Sequence, residues 1–161
     1  MGDSIKLLVF SLFMSFLIGS SSFAEEEDAA VEKLKGFSHW VVVVHSSNKV
    51  IEITKSDLRK YLLKEKVFWS KDFKVVPLIL NTEDKRFDEF TELFLKQKKS
   101  QYPRYWIEQK FTKGHIRPKE ADPKTIVKIL SILKGGITVI PKEDWNLMER
   151  PSVKEIKLIE N

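Results

Sequence analysis

Five adjacent residues, Trp40-Val41-Val42-Val43-Val44, constrain this fold more than any others in the chain. All are β-branched or aromatic, and none is separated from the next by a polar residue. Successive side chains of a strand point to opposite faces, so an unbroken apolar run leaves neither face for water. Such a strand belongs inside a sheet covered on both sides, and a parallel sheet flanked by helices is the usual arrangement. His45-Ser46-Ser47-Asn48 follows with the composition of a turn.

Helical and strand patterns alternate downstream. Thr54 predicts an N-cap, with Asp57 three residues on as a variant capping box, and Leu58, Tyr61 and Leu62 continue at helical spacing to about Lys64. Residues 73–80 read as a second strand, which Pro77 should confine to an edge or a bulge. Asn81 to Asp84 opens a helix carrying Phe87, Phe90, Leu93 and Phe94. Ser100 caps another that carries Tyr105, Trp106, Gln109 and Lys110. Asp122-Pro123 opens a helix to Leu133, and residues 137–140 form a closing strand. The order β-α-β-α-α-α-β predicts an α/β fold, a mixed sheet flanked by helices. The tail, residues 146–161, predicts a short edge strand or a loose end.

The first residues form a separate unit. Lys6 precedes an apolar run from Leu7 to Ile18, and Ser22 and Ala24 supply the small residues of a cleavage site. The run is well short of the roughly 20 residues that span a bilayer. The expectation is a signal peptide over residues 1–24, a leader over 25–38, the α/β domain over 39–145, and no stable membrane span after cleavage. That places the mature protein in a periplasm or outside the cell. With no cysteine among its 161 residues, the chain has no disulfide framework and no site for an N-terminal cysteine lipid.

The formal charge is +5. Lysines are interleaved with acids, and the densest run, Lys96-Gln97-Lys98-Lys99, falls at an expected helix end where cations complement the dipole. No basic stripe with interleaved aromatics is present, so no nucleic-acid partner is expected. His39, His45 and His115 lack metal-ligand spacing. No nucleophile elbow, P-loop or dinucleotide-binding glycine pattern occurs, so no metal, cofactor or catalytic residue is assigned.

From Ser100 the chain reads SQYPRYWIEQKFTKGHIRPKEADPKTIVKILSILKGGITVI. Its Tyr105-Trp106, Phe111-x-x-Gly114, Pro118, helix and Gly-Gly-led strand resemble the closing half of small phosphate-type substrate-binding-protein-like domains, related to the phosphate-binding proteins of ABC importers. The similarity runs from about Val41 to Trp145. VVVVHSSNKV resembles the family's first strand and its N-x-S-N-P turn. ITKSDLRKYLLKEKVFWSKD resembles its first helix, with Lys64 in place of the usual Gly. FKVVPLIL resembles the strand before its ligand loop. The resemblance implies one lobe of a type 2 periplasmic binding protein and non-enzymatic binding of phosphate or another small oxyanion in connection with ABC-type transport. An envelope or transporter protein is the implied partner.

Full-length phosphate binders place a Gly-Ser-Gly-Thr-like loop after the second strand, where this chain has Asn81-Thr82-Glu83-Asp84-Lys85-Arg86. Helix beginnings at the carboxyl ends of strands favour anions. The candidate ligands are therefore Ser46 and Ser47 after the first strand, with Thr82 and Arg86 after the second. The same Ser and Thr residues serve equally as turn and cap. The alternative function is a ligand-free protein-interaction or sensory module, favoured by Glu83 and Asp84 in the loop and by the single lobe.

Overall fold

The computed structural model describes residues 36–150 and 152–160; the expected signal peptide and nearly all of the leader lie outside them. Strand β1 (Trp40–His45) is buried along its whole length. Its two faces meet different layers, as the pleat requires. Val41 and Val43 pack with Leu78, Ile126, Leu130, Ile140 and Trp145. Trp40, on the other face, lies 6.0 Å from the ring of Phe90 and 5.6 Å from that of Phe94.

Eight strands are described: β1, β2 (Glu52–Thr54), β3 (Phe68–Ser70), β4 (Phe73–Lys74), β5 (Val76–Leu80), β6 (Lys119–Ala121), β7 (Gly136–Pro141) and β8 (Val153–Ile159). β3 and β4 form a separate hairpin, and the other six form one sheet in the order β2-β8-β1-β7-β5-β6. β1 is antiparallel to both neighbours, while β2·β8, β5·β7 and β5·β6 are parallel pairs. β1 therefore runs against the other five. Burial on both faces follows from its composition, and the all-apolar run lies in the mixed sheet that the element order predicts, antiparallel to both its neighbours.

The tail forms neither an edge strand nor a loose end. β8 is an inner strand between β1 and β2, with Val153 and Ile156 buried. Without it, β1 would present an open ladder on one side, an aggregation-prone arrangement for so apolar a strand. Pro77 also has a local explanation. β5 pairs with β7 through Val76 and Pro77 and with β6 only from Leu78 onward. The proline thus stands where the strand has one neighbour, although β5 is not an edge strand.

The helices are α1 (Lys55–Leu62), α2 (Phe87–Phe90), α3 (Tyr102–Lys113), α4 (Pro123–Leu130) and α5 (Lys142–Asn146). Thr54 caps α1 by accepting the Asp57 N–H at 3.1 Å, and Asp122 caps α4 by accepting the Thr125 N–H at 3.0 Å. α2 starts at Phe87 rather than in the Asn81–Asp84 turn and continues as a π-helical segment, Thr91–Leu95. Both bury the predicted stripe through Phe87, Phe90 and Phe94. α1 ends in a Schellman motif: Lys64 N–H bonds the Tyr61 carbonyl and Glu65 N–H bonds the Lys60 carbonyl. Lys64 takes the left-handed position with φ 56°.

Candidate functional site

Strand direction divides the predicted site. Trp40 stands opposite Pro141 and Val44 opposite Ile137, while Pro77 lies beside Ile137. The turn after β1 consequently projects from the rim where β5 and β7 begin. The loop after β5 projects from the other rim, with the carboxyl ends of β2, β6, β7 and β8. A strand of five or six residues puts the two rims roughly 15–20 Å apart. Ser46 and Ser47 are not brought together with Thr82 and Arg86.

The serine turn is closed on itself. Ser46 N–H donates to the Ser152 carbonyl at 2.8 Å. Ser47 N–H donates to His45 Nδ1 at 3.1 Å, and its Oγ lies 2.7 Å from the same nitrogen. An Nδ1 that accepts a backbone N–H leaves the ring proton on Nε2, which faces the Ser131 carbonyl at 3.2 Å. His45 is buried and staples the turn to the end of α4.

The loop after β5 is likewise committed to its own side chains. Asn81 Oδ1 accepts the Glu83 N–H at 3.0 Å, and Asp84 Oδ1 accepts the Arg86 N–H at 2.9 Å. These are Asx turns, and they use backbone donors that an anion would need. Thr82 does not cap α2; Arg86 occupies that position, with no capping side chain. The Arg86 guanidinium holds Asp84 in a fork, Nε to Oδ1 at 2.9 Å and Nη2 to Oδ2 at 2.7 Å. Its Nη1 meets Glu143 Oε1 at 2.6 Å and Asp144 Oδ2 at 2.7 Å. Three carboxylates thus surround the Arg86 guanidinium, and the Lys85 ammonium adds a more distant positive charge. Hydrogen bonding from Arg86 holds the Asp84 carboxyl below the usual carboxylate range, and Asp84 in turn raises the Arg86 pKa further.

Beside this web lies a hollow of about 210 Å³ lined by His39, Trp40, Glu89 and Lys142 as well as Arg86 and Glu143. Trp40 Nε1 donates to Glu89 Oε1 at 3.2 Å. Glu143 and Asp144 come from α5, a five-residue helix that sequence periodicity does not reveal. Trp106 is core, and Tyr105 is tied down by its hydroxyl, which donates to the Leu63 carbonyl at 3.1 Å. Among the described residues no cluster of three His, Cys, Asp or Glu could hold a metal, and no helix is long and apolar enough to cross a membrane.

No protein-family model and no curated protein matches the chain. Solved structures do. An ABC-type phosphate transport receptor from Vibrio cholerae superposes with a TM-score of 0.54 at 14% identity, over 74% of this chain and 46% of the receptor. PstS from Borrelia burgdorferi gives 0.53 at 11% identity, over 74% of this chain and 47% of that one. The fold is that of one lobe of a type 2 periplasmic binding protein. The chain spans less than half the length of either structure.

Proposed function

We propose that this lobe is a non-enzymatic module of the cell envelope that works through a protein partner, not by capturing phosphate at the rim after β5. The observation that carries this reading is the commitment of Arg86 to Asp84, Glu143 and Asp144. A helix N-terminus offers an anion about 1 kcal/mol. One like charge at about 4 Å opposes it by roughly 4 kcal/mol at an effective dielectric constant of 20. With Asp84 paired to Arg86 and Glu143 largely screened by solvent, the Asp144 carboxylate, 29% exposed, is the like charge that outweighs the dipole.

The test has two arms on the full chain. Melting is followed with inorganic phosphate, sulfate and small carboxylates at millimolar concentration. A photo-cross-linker at Thr82 probes the rim in intact envelopes. The expected result is no shift with phosphate and one discrete protein adduct. The fold likeness to phosphate receptors favours a second reading, the oxyanion receptor associated with ABC-type transport. Stabilisation by phosphate approaching about 2.7 kcal/mol, the value for ligand at 100 times its Kd, would establish that reading instead.

A further inference from the structure

The opposite side of β5 carries a different electrostatic arrangement. Where Val76 and Pro77 lack a β6 neighbour, a hollow of about 490 Å³ opens between the β3–β4 hairpin and the loop after α3. Its volume falls within the range of small-molecule pockets. Phe68, Pro77 and Ile116 give it apolar walls, and Lys64, Lys74 and His115 give it polar ones. Phe68 and Ile116 are large apolar residues left exposed. Lys66 also lines the hollow, but its ammonium pairs with Asp57 at 3.1 Å.

Lys64 and Lys74 differ from Lys66. Neither makes an ion pair with a carboxylate among the described residues. Lys64 Nζ has a neutral partner, the Ile116 carbonyl, at 2.5 Å. Burial lowers the Lys64 pKa, and the nearby positive charge of Lys74 lowers it further. His115 Nδ1 is buried with no hydrogen-bond partner. Lys64 holds the left-handed position of the Schellman motif that ends α1, φ 56°, a conformation that glycine adopts freely.

We propose that this hollow is a binding site for an organic anion, with Lys64 and Lys74 holding the charged head, His115 Nδ1 adding a polar contact, and Phe68, Pro77 and Ile116 covering the apolar body. A carboxylate or phosphate monoester on an alkyl or aryl group has the required chemistry, whether free or presented at the end of a peptide. The site lies on the rim opposite Arg86 and stands independently of the partner-binding reading.

Octanoate, benzoate and phenyl phosphate are titrated into the full chain, with inorganic phosphate and benzamide as comparisons and amide NMR as the readout. The organic anions are expected to shift the resonances of Lys64, Lys74, Gly114 and His115, and the two comparison compounds to leave them in place. Lys74→Ala and Lys64→Gly are each expected to weaken binding roughly tenfold or more, as for loss of one hydrogen bond to a charged group. Lys64→Gly suits the left-handed backbone and Lys74 is exposed, so both variants keep the fold. A short peptide ending in phenylalanine distinguishes the sources: tighter binding than benzoate marks a protein-borne ligand, weaker binding a free one, and either supports the site. Equal response to benzamide or inorganic phosphate, shifts that map elsewhere, or unchanged affinity in both variants would overturn it.

Discussion

Replacing Arg86 with alanine removes the guanidinium that Asp84, Glu143 and Asp144 share in the web after β5. The side chains of Arg86 and Asp84 are 19% and 16% exposed, so their fork is only partly screened; Glu143, at 69%, adds little. Hydrogen bonds to charged groups contribute about 1.5–3 kcal/mol. Treating the fork as one unit, adding a weaker Asp144 contact and discounting for exposure gives a loss of about 2–3 kcal/mol near pH 7. For a folded region of this size that is roughly 10 °C in Tm. The pH dependence has a defined sign. Asp84's folded pKa lies below its unfolded value of about 3.9, so its contribution is complete above that value and fades as pH falls through the depressed one. Urea unfolding of both proteins, at neutral pH and again near the acid limit of folding, should show a gap that narrows on acidification. A gap under about 0.5 kcal/mol at neutral pH, the usual range for surface substitutions, would refute the reasoning. So would a gap that does not change with pH, because the guanidinium would then be free to serve a ligand.

Four further outcomes are expected. Gly135→Ala would place a Cβ 2.2 Å from the Lys74 carbonyl oxygen and disturb the Gly135 carbonyl, which accepts from Trp69 Nε1 at 3.0 Å and Val76 N–H at 2.9 Å; the loss should be about 3 kcal/mol. Gly114→Ala, with open space around it but φ +66°, should lose only about 1 kcal/mol, and thermal melts giving the reverse order would contradict both accounts. A chain ending at Arg150 lacks β8 and should show no cooperative unfolding; native near-ultraviolet dichroism in that truncation would mean the tail is dispensable. Burial pushes the Tyr105 phenol up to about 12. Since the folded state favours the neutral phenol, stability should decline as pH rises above the unfolded value of about 10, and an ultraviolet titration showing Tyr105 ionising at that ordinary value would disprove its burial.

Much of the architecture was legible in the chain because periodicity and caps are local quantities. The adjacent valines of β1 reported cover on both faces, Thr54 and Asp122 announced their caps, and Phe87, Phe90 and Phe94 marked a buried stripe. Ladders of two or three residues, such as β2 and β6, carry too little pattern to stand out, and their neighbours define them. The Asn81 and Asp84 turns were readable in principle from residue type, since both are Asx formers.

Residue order by itself determined which side chains avoid water and where helices begin, because those choices depend on neighbours a few positions away. Only the tertiary structure decided that β1 runs against the other five strands, which sends Ser46 and Ser47 to one rim and Thr82 and Arg86 to the other. It also decided that Arg86 meets Glu143, 57 positions further on, and that Lys64 and Lys74 share a hollow. Strand direction and distant charge neighbours leave no trace in hydrophobic spacing, since an apolar run has the same period whichever way it points and a carboxylate looks solvated until a guanidinium folds against it.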